Sequence, residues 1–95
     1  VRQWRVDAIR AYLSSVRSDW RRDAEFSIPG RDVWIRQASD GSYRSAQLRH
    51  YPASGKTPAI APEIAVIQFC QQLDIEPRLL FESLGAGAQY TGPLP

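Results

Sequence analysis

Hydrophobic positions along this chain switch from a period near four to a period of two, and then back. Over residues 2–22, Trp4, Ala8, Ile9, Tyr12, Leu13, Val16 and Trp20 recur at steps of three and four, which predicts one long amphipathic helix. Gln3, Asp7, Arg10, Ser14, Arg17 and Arg21 fall on its opposite face, and no glycine or proline interrupts it. Phe26 and Ile28 then alternate with Glu25 and Ser27, the pattern of a half-buried strand. Pro29-Gly30 suits a type II turn, because proline fixes the first central residue and glycine accepts a positive φ at the second. Val33-Trp34-Ile35 are strand formers, Asp40-Gly41 is a type I′ hairpin signal, and residues 43–51 read as the returning strand, although its second half, Ala46-Gln47-Leu48-Arg49-His50, also suits a helix.

A two-residue loop at Asp40-Gly41 fixes a register. It sets Ile35 opposite Ala46 and Val33 opposite Leu48 on one apolar face. The other face then pairs Ala38 with Tyr43, Arg36 with Ser45, Trp34 with Gln47 and Asp32 with Arg49. The same arithmetic at Pro29-Gly30 sets Phe26 opposite Val33. Together the turns predict a three-stranded antiparallel meander with one buried face.

Residues 52–61 hold Pro52, Ser54, Gly55, Thr57 and Pro58 and read as a loop. Pro62 opens a second helix over about 62–73, apolar nearly all round and so expected to be buried. Pro77 starts a short third helix that runs to Leu84 and stops at Gly85. The expected fold class is α+β: a long N-terminal helix, a three-stranded antiparallel meander, a buried second helix and a short third helix, in two layers. Residues 1–85 form the expected domain and residues 86–95 a flexible C-terminal tail or linker.

Composition adds bounds. A chain of 95 residues is one small domain at most, and no apolar run approaches the roughly 20 residues of a membrane helix. No membrane partner is therefore expected, and the expected location is cytoplasmic. The chain opens at Val1 and lacks methionine, as expected of a processed chain or of a segment cut from a larger protein. Eleven of the twelve basic residues are arginine, yet the net charge is only +2, so charge must act through its distribution. Arginine bias fits a GC-rich genome as well as a need for bidentate contacts to phosphate or carboxylate.

No catalytic set emerges. His50 has no second histidine or spaced partner, and Cys70 sits in the most apolar helix, where a thiol is inert. One cysteine and one histidine are too few for a structural zinc site, and no cofactor or metal is expected. The acidic pairs Asp19/Asp23 and Glu63/Glu76 show no distinctive geometry. Gly55-Lys56-Thr57 matches the end of a phosphate-binding loop, but His50 stands where its first glycine belongs. The candidate binding surface is the outward sheet face. Trp34, Arg36, Tyr43 and Arg49 share it, and Arg44 and Lys56 extend a basic rim.

Residues 64–84, IAVIQFCQQLDIEPRLLFESL, resemble the last two helices of phage-repressor-type helix-turn-helix domains, although a hairpin stands where that family places its DNA-reading helices. The helix–three strands–helix order is similar to double-stranded-RNA-binding domains, but Ala61-Pro62-Glu63 replaces their basic cluster. The reading is a non-enzymatic accessory or protein-interaction module. Another protein, or a second copy of the chain, docks on the Trp34/Tyr43 face. The alternative is a nucleic-acid-binding domain in which Arg36, Arg44, Arg49 and Lys56 meet phosphates while the aromatics stack on DNA or RNA bases.

Overall fold

The computed structural model describes residues 2–92. Over these residues the chain is α+β, with three α-helices and two antiparallel sheets of three strands each. The predicted 2–22 helix is divided into three elements. Strand β1 (Gln3–Arg5) precedes helix α1 (Val6–Val16), and strand β2 (Arg21–Arg22) follows it. Helical spacing alone does not decide residues 3–5. Two distant segments offer them ladder partners, β5 (Ile60–Pro62) on one side and β6 (Gln89–Tyr90) on the other. As the central strand, β1 buries both Gln3 and Trp4. The α1 helix keeps the predicted stripe at Val6, Ile9 and Leu13. It ends at Val16, Ser18 and Asp19 then make a turn, as such residues favour, and Trp20 folds back into the core.

The meander is present with different bounds and a different register. Its first strand is β2, not the Phe26/Ile28 segment, and it pairs with β3 (Arg31–Gln37), which pairs with β4 (Tyr43–Arg49). The Asp23 side chain accepts the Glu25 N–H at 2.9 Å and shapes a turn that leaves Phe26 exposed. Pro29-Gly30 does form the expected tight turn, with reciprocal Ile28 and Arg31 backbone bonds and Gly30 at φ +92°. Ladder pairing stops there, because the Ser27 hydroxyl takes the Val33 N–H at 2.9 Å. Between β3 and β4 the loop is Ser39-Asp40-Gly41, one residue longer than expected. The Ala38 N–H donates to the Ser42 carbonyl at 2.8 Å, and Gly41 closes the turn at φ +87°.

That extra residue shifts every partner. Trp34 faces Ala46, Asp32 faces Leu48 and Arg36 faces Arg44, while Val33 and Ile35 face Gln47 and Ser45. The inward residues of β4 are as expected and those of β3 are inverted. Trp34 is therefore core, 2% exposed, and not part of an outward platform. The expected Asp32–Arg49 pair is replaced by Arg31 opposite Arg49.

Helix α2 (Glu63–Leu73) follows Pro62 as predicted and buries Ala65, Val66, Phe69, Cys70 and Leu73. Asp74 ends it at φ +59°. Helix α3 (Pro77–Leu84) stops at Gly85, as read from the sequence. The 86–95 stretch differs from the expected tail. Ala86–Ala88 makes one 3-10 turn with Ala88 buried, and Gln89–Tyr90 is β6. Residues 93–95 of that segment lie outside the described residues. One core joins both sheets to the helices through Trp4, Ile9, Leu13, Trp34, Leu48, Val66, Phe69, Leu73 and Leu80.

The register is tested by a pair of substitutions. Trp34→Ala should lower unfolding free energy by about 3–5 kcal/mol, as loss of a buried aromatic does. Tyr43→Ala should change it by no more than about 0.5 kcal/mol. Urea denaturation measures both, and equal midpoints would contradict the observed pairing.

Candidate functional site

The alternation of β3 and β4 separates the residues that the sequence grouped. Tyr43 and Arg49 lie on one face with Arg31, Val33, Ile35 and Gln47. Trp34, Arg36 and Arg44 lie on the other. Arg44 Nη1 donates to Asp74 Oδ2 at 2.9 Å, and Arg36 Nη1 is 3.8 Å from Asp19 Oδ2. Lys56 stands apart at the tip of a small turn closed by the Ser54–Thr57 bridge. Arg49 instead borders a groove of about 620 Å³ between β4 and α2, with Gln47, Gln68, Gln71 and Gln72. There the Gln47 N–H, which points away from β3, donates to Gln72 Oε1 at 2.7 Å. The amide side chain thus occupies a position where a further strand would bond.

The outer face is apolar at its centre. Ile35 and Tyr43 border a shallow depression of about 380 Å³ with Phe26, and Arg21 and Asp23 complete its rim. Phe26 and Tyr43 are each 61% exposed. Isolated exposed apolar residues are ordinary, but large ones gathered around one depression are not. The Phe26 contribution comes from the turn that Asp23 shapes, so it follows from the same deviation that shortened the first strand.

On the inner face the structure builds a polar cluster that sequence reading missed. Asp32 is fully buried. Arg10, reaching from α1, donates from Nε to Oδ2 and from Nη2 to Oδ1, each at 2.6 Å. Arg22 Nε, from β2, lies 3.4 Å from Oδ2. His50, just beyond β4, places Nε2 3.3 Å from Oδ1 and Nδ1 3.1 Å from the Tyr51 carbonyl oxygen. Burial by itself would raise the Asp32 pKa. The hydrogen bonds from Arg10 and His50 and the charges of Arg10 and Arg22 outweigh it, and hold the carboxyl well below the usual range. These residues are 10, 12 and 18 positions apart in sequence, so no local spacing signals them. A usable signal was the second register permitted by Asp-Gly, which turns Asp32 inward and demands basic partners.

Cys70 is buried in α2, and burial pushes its thiol up to about 12, far from a reactive thiolate. Among the described residues no cluster of histidine, cysteine and carboxylate side chains is arranged to hold a metal ion, and no helix is long and apolar enough to cross a membrane.

Arg10→Gln strands the buried carboxylate with only Arg22 and His50. Its expected cost lies near the lower end of about 3–5 kcal/mol, measured by urea unfolding. Because the folded pKa of Asp32 is depressed, its stabilisation is complete above the unfolded value, about 3.9, and is lost as pH falls below it. Asp32→Asn should therefore be less stable at neutral pH and show a shallower loss of stability below about pH 4. An equally steep acid loss in this variant would remove Asp32 as its source. No family model, curated protein or solved structure matches this chain, so its function is read from this geometry.

Proposed function

We propose that the chain is a non-enzymatic protein-interaction module whose partner docks on the outer face of the β2–β3–β4 sheet. The observation that carries this reading is the gathering of Phe26, Ile35 and Tyr43 around one depression, with both aromatic rings mostly in solvent. Aromatic anchors with a polar rim are the usual core of a protein interface. The rim contains one cation and one anion, Arg21 and Asp23, so it presents no single-sign field to a polyanion.

The charge distribution supports a protein partner over nucleic acid. Arg17, Arg36 and Arg44 are each engaged with an aspartate, and Arg10 and Arg22 share Asp32 on the opposite side of the sheet. Arg21, Arg31, Arg49 and Lys56 make no ion pair among the described residues, but they do not form one row: Arg21 borders the depression beside Asp23, Arg31 and Arg49 face each other at the end of the sheet away from the hairpin, and Lys56 sits at a separate turn. A phosphate backbone is tracked by a continuous row of cations.

Photo-crosslinking in the native host tests the reading. Benzoylphenylalanine incorporated at position 43 should give a discrete protein adduct that the same probe at exposed position 82 does not. Phe26→Ser should abolish that adduct, and high salt should leave it in place, since apolar contact is not screened. A nucleic-acid adduct that vanishes in high salt, or equal adducts at both positions, would overturn the proposal.

A further inference from the structure

We infer that the cleft above the Asp32 cluster binds a small carboxylate carried on an apolar body, held by Arg10 and Arg22. This site is separate from the outer-face reading and lies on the other side of the sheet. The cleft has a volume of about 410 Å³ and reaches down to Arg10, Arg22 and His50. That is within the range of about 300–1,000 Å³ for small-molecule sites.

The charges at its floor do not balance. Asp32 supplies one negative charge to two guanidinium groups. Asp7 on α1 is bonded to Arg5 at 2.7 Å, and Asp23 and Glu25, which border a second depression with Arg22, make no ion pair with it among the described residues. One positive charge therefore remains before His50 is considered. Asp32 engages Nε and Nη2 of Arg10 and Nε of Arg22. The Nη1 group of Arg10 and both terminal nitrogens of Arg22 make no hydrogen bond among the described residues. Both side chains are a little over one-third exposed and both line the cleft. The buried carboxylate fixes the orientation of Arg10 and its planar fork in advance of any ligand.

The ligand chemistry follows from what surrounds those donors. A planar carboxylate matches a guanidinium edge and neutralises a single excess charge. The walls are Ile28, Pro29, Pro52, Ala53 and Ala59, with Ser27, whose hydroxyl is already bonded to the Asp23 carbonyl and the Val33 N–H; they favour an apolar body and offer little to the further oxygens of a phosphate. Such a carboxylate is supplied either by a free aromatic or aliphatic acid or by the C-terminus of a peptide ending in an apolar residue.

Calorimetric titration of the whole chain at low salt tests the site. The probes are phenylacetate, its uncharged isostere phenylacetamide, inorganic phosphate, and a short peptide ending in phenylalanine with a free or amidated terminus. Saturable binding of phenylacetate or the free-acid peptide is expected, with neither amide binding; the tighter of the two acids identifies the source. Arg22→Gln, which leaves the Arg10–Asp32 bond in place, should weaken the acid about tenfold or more. Ala53→Trp should block the cleft without touching a charge, and it decides the matter if the arginine variant fails to fold. Phe26→Ser, on the opposite face, should leave binding unchanged. The proposal is overturned if neither acid binds, if the amides bind equally, if phosphate binds more tightly, or if Ala53→Trp leaves the affinity intact.

Discussion

The register of β3 against β4 is the constraint on which the rest of the molecule depends. Trp34 and Asp32 are two residues apart and so share a face. Turning that face inward places a large indole and a carboxylate in the interior together. The indole is the favourable part: truncating a buried tryptophan costs about 3–5 kcal/mol. Its N–H finds no acceptor among the described residues, a penalty of about 1–3 kcal/mol that the buried area exceeds. The carboxylate is close to neutral at best, because desolvating an ion pair consumes most of its Coulombic gain. What Asp32 supplies is a tie between separate elements. Arg10 on α1, Arg22 on β2 and His50 after β4 converge on it, and each would lose its partner in the slipped register.

Much of this was legible in the chain, and what was not has identifiable causes. Helices α2 and α3 were readable because a proline stands at the start of each, immediately before α2 and at the first position of α3, and because Gly85 marks the end of α3; the left-handed Asp74 that ends α2 is seen only in the structure. The inward residues Ala46 and Leu48 were readable because β4 has a single apolar face. β3 is ambiguous, since Val33, Trp34 and Ile35 place apolar groups on both faces. Its orientation then rests on the loop, and Asp-Gly serves a two-residue turn as well as a three-residue one. A local dipeptide could not settle it; the cluster that gathers on Asp32 does. Residues 3–5 were lost to helix periodicity for the complementary reason: their strand exists through partners more than fifty positions away.

The arginine content also reads differently once geometry is known. Arg2, Arg5, Arg10, Arg17, Arg22, Arg36, Arg44 and Arg78 all stand in ion pairs with acidic side chains. Most of these are exposed and contribute little to stability, typically well under about 1 kcal/mol. Their consequence is electrostatic: they spread alternating charge over the surface and leave few cations uncommitted. The Arg10–Asp32 bond differs because its carboxylate is wholly buried, so solvent screens it far less than the exposed pairs.

Strand alternation finally sets how the two proposed sites relate. Arg21 is paired with Ile35 and borders the outer depression, while its neighbour Arg22 is paired with Trp34 and turns toward Asp32. A strand of two residues thus contributes one arginine to each side of the sheet. The sheet between them is backed by the packed core at Trp34, Ala46 and Leu48, which is stiff on the scale of a side-chain substitution. Loss of the Arg22 charge is felt at the buried carboxylate and in the cleft, while the Phe26–Ile35–Tyr43 surface keeps its contacts. The two proposed sites can therefore be probed separately by substitutions at adjacent positions, because the pleat directs consecutive side chains into different environments.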